Sequence, residues 1–209
     1  MVESYLRQTP LTHLGLPARA GAAATTAGVI LGERPHRCQI NLRGNASDPA
    51  FTSAVRQATG LGLPTRANTV ETAGSLAALW LAPDEWLLVG PGDAATAGRE
   101  AALVGTLRVA LAGLHVAITD VSEARTIITV AGPRARDLLA KGTPLDLHPR
   151  VFGPGHCAQT AMASANVILR QVDDRPSYEL HILNSFADYL WTWLEGGCRE
   201  YGVAVAAEG

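Results

Sequence analysis

An α+β protein of two small lobes, each a split β-α-β arrangement, is what the sequence predicts, and three observations carry that expectation. Apolar patterns run strand, helix, hairpin, helix, strand, and a similar order begins again after Asp120. The 209 residues are 47% apolar and 17% charged, enough to bury a sizeable core in one domain or two small ones. No apolar run approaches the length of a membrane span, so a fully buried helical bundle in lipid is not expected. The expected divisions are an amino-terminal arm over residues 1–28, a first lobe over 29–121 and a second over 122–209.

The arm mixes Pro10 and Pro17 with several glycines and ends in AGAAATTAG, which reads as no core element. Leu6, Leu11, Leu14 and Leu16 gain little in water, so the arm is expected to lie against this chain's own body or a partner. Residues 29–43 carry β-branched side chains around Pro35, which suits two short strands or one interrupted edge strand. In SDPAFTSAVRQATGLGLP, Ser47 or Asp48 caps a helix with Pro49 in its first turn, Phe51, Val55 and Ala58 on one face, and Gly60 and Gly62 at its end. SLAALWLAPDEWLLVGPGD has two apolar runs about Ala82-Pro83-Asp84-Glu85, a hairpin with Trp80 and Trp86 flanking its turn. A helix with Leu103, Leu107 and Leu111 at spacings of four follows, then the strand HVAITDV.

In the second lobe Arg125 to Ala131 alternate as a strand, and Gly132-Pro133 turns into a helix whose Ala135, Leu138 and Leu139 face inward. CAQTAMASANVILRQV and SYELHIL read as strands joined by the turn DDRP, before a helix in NSFADYLWTWLEGGCREYG and a closing strand VAVAA. The element order of each lobe is ferredoxin-like. On the last helix a 100° step puts Phe186, Tyr189, Leu190, Trp193 and Leu194 on one docking face and leaves Trp191 with Ala187 and Asp188 on another. Trp191 and Asp188, with Leu6, Leu11 and Leu14 of the arm, are therefore the candidate interface residues.

Charge and motif chemistry exclude more than they assign. A net charge of −2 leaves no basic excess to follow a phosphate backbone, so nucleic acid is not an expected partner. Lys141 is the one lysine among 17 basic residues, a bias that fits a GC-rich genome as well as arginine-rich interfaces. Lys141-Gly142-Thr143 reverses the order a phosphate loop needs and follows a helix, where a glycine cap belongs. Cys38, Cys157 and Cys198 form no CxxC pair, and His156 and Cys157 point to opposite faces of a strand. The six histidines have no metal-ligand spacing. Asp120 and Glu123 are an acid-base pair only if they converge; the simpler reading is that Asp120 bonds backbone amides at a strand break. The amino terminus has no signal-like apolar core, so a cytoplasmic location with reduced thiols is expected.

DVSEARTIITVAGPRARDLLAKGTPLDLHP, then GHCAQT, then SYELHILNSFADYLWTWL closely resemble the gamma subunits of heterotetrameric sarcosine oxidases, from about Trp80 to about Trp193. More distantly they resemble the folate-binding region of the glycine-cleavage aminomethyltransferases, and the resemblance implies that fold. Two departures stand out. The Gly-Gly-x-x-Asp-Asp segment that supplies the aminomethyltransferase carboxylate is replaced by Ala163 to Leu169, without an acid, and the histidine of Asp-Val-Ser-His is Glu123. The resemblance thus implies a subunit of an oxidoreductase that demethylates sarcosine to glycine, yielding formaldehyde or 5,10-methylenetetrahydrofolate and hydrogen peroxide. It implies alpha, beta and delta partner chains, chiefly alpha, whose folate-handling end this chain supports. FAD, FMN, NAD and tetrahydrofolate sites are implied on alpha and beta and zinc on delta, with no catalytic, cofactor or metal residue on this chain. The alternative is a free-standing folate-binding, aminomethyltransferase-like protein, which would need a carboxylate from Asp120, Glu123 or Asp173.

Overall fold

A computed structural model describes residues 7–20, 27–92 and 99–206. In chain order the elements are a 3-10 turn (Thr12–Leu14), α1 (Leu16–Arg19), β1 (Val29–Arg34), β2 (Gln39–Arg43), α2 (Pro49–Thr59), β3 (Val70–Ala73), β4 (Leu76–Ala82), β5 (Glu85–Val89), α3 (Arg99–Ala110), β6 (Ala117–Asp120), β7 (Arg125–Ala131), α4 (Ala135–Ala140), β8 (Cys157–Met162), β9 (Ala165–Asp173), β10 (Ser177–Leu183), α5 (Asn184–Gly197), a second 3-10 turn (Cys198–Glu200) and β11 (Val203–Val205). They form two compact units, His36–Glu123 and Arg7–Pro35 with the chain from Ala124 onward. The α+β class predicted from the pattern holds for both.

The first unit is an antiparallel sheet in the order β3-β4-β5-β2-β6. Asp48 caps α2 by accepting the Ala50 N–H at 2.9 Å, Pro49 opens the helix, and Gly60 ends it at φ 72, a conformation that favours glycine. Phe51 and Val55 then reach the core with Ile40, Leu42 and Leu88 of the sheet and Val104 and Leu107 of α3. Trp86 of the hairpin packs 5.8 Å from the Phe51 ring, and its indole N–H donates to the Pro64 carbonyl at 2.8 Å. Strand β3 is absent from the sequence expectations because none of its side chains is fully buried, so its pattern carries no apolar period.

The second unit is a sheet in the order β11-β1-β7-β10-β9-β8, antiparallel except for the β1–β11 pair. α4 packs against β1 and α5 against β7 and β10, enclosing Leu31, Val130, Leu138, Leu180 and Leu190. Three expectations are corrected. Residues 29–34, expected in the first lobe as a short strand or as part of an interrupted edge strand, are β1, an interior strand of this sheet; alternation sets which face is apolar but not which sheet is joined. The run 157–172, expected as one strand, is two, because Ala163 takes φ 52 and Met162 pairs with Ala165 across a two-residue turn. Gly142 is not in the left-handed region expected of a cap. A Cβ there would lie 2.6 Å from the Trp193 ring and 2.8 Å from the Met162 sulfur, so the constraint is close packing.

Candidate functional site

Strand alternation gives the six-stranded sheet two different faces. Leu31, Ile128, Val130, Tyr178, Leu180 and Ile182 point to the helices and form the core. The intervening residues point the other way: Arg34 on β1, Thr129 on β7, Glu179 and His181 on β10 and Arg170 on β9. Glu179, 3% exposed, is the hub of this second face. One of its oxygens accepts from Arg34, and the other lies 3.2 Å from Nη1 of Arg170 and 3.8 Å from Nε2 of His181. Burial alone would push the Glu179 carboxyl up; the neighbouring His181, Arg170 and Arg34 reverse this and hold it at about 2. Sequence offers little warning of this cluster, since Glu and His alternating with Tyr, Leu and Ile read as the solvated face of an ordinary strand.

A second buried carboxylate fastens the arm. Glu33, 7% exposed, accepts from the Thr126 hydroxyl at 2.6 Å and from the Thr9 hydroxyl at 2.8 Å. This anchors residues 9–19, whose Leu11 and Leu16 enter the core beside Val29 and Leu31, while Leu14 packs against it. His13 Nε2 meets Asp188 at 2.8 Å and Arg19 pairs with Glu195, so the arm is tied along α5 as well. Among the described residues, the arm therefore lies on its own unit. Of the candidate interface residues, Leu11 is core, Asp188 is an arm contact, and Leu6 falls outside the described residues.

The expected face of α5 is also corrected. Ala187, Leu190, Trp191 and Leu194 are buried, at the spacing i, i+3, i+4, i+7 that seats a helix on a sheet. Trp191 is completely enclosed, with its indole N–H donating to Glu195 at 3.2 Å, which removes it as an exposed anchor. Phe186 and Tyr189, expected inside, are 45% and 40% exposed, beside Leu183 at 43%. Both faces of this helix are apolar, so hydrophobic spacing alone chooses poorly between them.

The acidic residues weighed for chemistry have local duties. Asp120 accepts from the Ser122 N–H at 3.0 Å and hydroxyl at 2.6 Å, organising the exit from β6, and Glu123 is exposed in the connection that follows. Asp173 accepts from Ser177 at 2.8 Å and Arg175 at 3.2 Å in the β9–β10 turn. Cys157 and Cys198 are buried, and burial pushes the Cys198 thiol up to about 11, where it is no nucleophile at neutral pH. His156 Nδ1 accepts the Gly153 N–H at 3.1 Å. Among the described residues no three His, Cys, Asp or Glu side chains gather as a metal site, and no helix is long and apolar enough to cross a membrane.

Lys141 adds a feature the phosphate-loop question concealed. Its ammonium donates to the Gly197 carbonyl at 3.0 Å, satisfying the end of α5, pairs with Glu200, and lies 4.3 Å from the Tyr201 ring centroid. Arg134 approaches the same ring at 5.1 Å. The lysine of the KGT triplet is thus spent on a helix end.

Comparison with known proteins gives concordant results. Residues 43–200 match the model of the sarcosine oxidase, gamma subunit family. The sarcosine oxidase gamma subunit of Corynebacterium sp. (strain U-96) is 33% identical over 99% of this chain and 98% of its own, and that of an Arthrobacter species is 33% identical over the same shares. Among solved structures, heterotetrameric sarcosine oxidase from Corynebacterium sp. U-96 in complex with pyrrole 2-carboxylate has a similar chain, with TM-score 0.82, 32% identity, and coverage of 95% of this chain and 98% of that one. The glycine cleavage system aminomethyltransferase T from Bartonella henselae shares the fold, with TM-score 0.68 at 17% identity over 96% of this chain and 59% of that one.

Proposed function

Because the chain belongs to the sarcosine oxidase gamma subunit family, we propose that it is a non-catalytic subunit of a heterotetrameric oxidase that demethylates sarcosine to glycine. The observation that carries this reading is likeness end to end: the gamma subunits align over 99% of the chain and a chain of the heterotetramer superposes over 95% of it. In this reading the methyl carbon leaves as formaldehyde or 5,10-methylenetetrahydrofolate while oxygen becomes hydrogen peroxide. FAD, FMN, NAD, tetrahydrofolate and zinc sit on the alpha, beta and delta chains, and this chain buttresses the folate-handling end of alpha in the cytoplasm. Support for a buttressing role comes from the chemistry of the residues: Asp120 and Asp173 are engaged in turns, and the two-residue turn at Ala163 carries no acid.

The partner-facing side chains are Leu183, at the end of β10, and Phe186 and Tyr189 of α5, in place of Trp191. Their fit is to a chain of the same tetramer, since tightly held subunits bury aromatic anchors that a free monomer leaves in water. Co-expression of the four chains with and without this one tests the role. The expected outcome is that omission lowers the yield of assembled complex, while Asp120→Asn and Asp173→Asn leave sarcosine turnover within twofold. A large fall in turnover with assembly intact would assign catalysis to this chain.

A further inference from the structure

We draw no further inference here: the strongest candidate, the exposed apolar patch of Leu183 at the end of β10 with Phe186 and Tyr189 along α5, belongs to the surface already described, and nothing in the structure shows what covers it.

Discussion

The five-stranded and six-stranded units have similar apolar cores but bury very different polar groups. Among the described residues the first buries Gln39 and Ser122, both uncharged, and joins them by a hydrogen bond of 2.9 Å from the Gln39 N–H to the Ser122 hydroxyl. The second buries Glu33 and Glu179, each held by groups from other strands, and His181, which lies beside Glu179 on the same strand. Buried charge is expensive unless paired, so the six-stranded unit commits its strands to specific charged neighbours where the other relies on apolar fit and uncharged buried hydrogen bonds. Specific recognition is therefore to be sought on the six-stranded unit, which also carries the described part of the arm and the exposed side of α5.

Breaking the core of that unit should have the largest effect. Trp191→Ala is expected to cost about 3 to 5 kcal/mol, since a fully buried indole leaves a cavity the sheet cannot close. Hydrogen exchange will read this as lost protection in residues 125–205 with residues 39–89 comparatively unchanged. A loss confined to assembly, with normal exchange, would restore Trp191 as an interface anchor.

Acid separates the two units next. The Glu179 carboxyl falls from 4.5 to about 2 on folding, so its contribution is complete above pH 4.5 and is lost as the pH drops through about 2. At ~1.4 kcal/mol per unit this amounts to roughly 3 kcal/mol. Urea unfolding at stepped pH should show stability declining across that window, and Glu179→Gln should lower stability at neutral pH while flattening the decline. A smaller effect is expected in the first unit: Trp86→Phe keeps most of the packing, loses the bond to Pro64 and should cost about 1 kcal/mol. Smallest for the isolated chain is Phe186→Ser, within about 0.5 kcal/mol by chemical denaturation because the ring is half in solvent, yet weakening assembly about tenfold or more if that face meets a partner.

Much of this architecture was legible because local signals suffice where a residue's neighbours are local. The cap at Asp48, the hairpin between Trp80 and Trp86 and the inward Leu138 and Leu139 of α4 follow from short spacings and turn chemistry. What escaped depends on distant partners. Nothing within Val29–Arg34 says that it joins β7 and β11, and nothing around Thr9 says that it meets Glu33, 24 residues away. α5 failed differently: with Phe186, Tyr189, Trp191 and Trp193 spread around it, two apolar faces compete, and tertiary packing chose the one with the small Ala187 at its centre. Family likeness was readable in the motifs after Asp120, while the Glu179 cluster was hidden by its resemblance to a solvated strand face.

The most direct test of the subunit reading is the native mass of the affinity-tagged chain drawn from its own cells, with the visible spectrum recorded on the same sample. The expected result is a heterotetramer of four different chains that contains this 21.9 kDa chain once and carries flavin absorbance near roughly 450 nm. A colourless monomer or homodimer would contradict it.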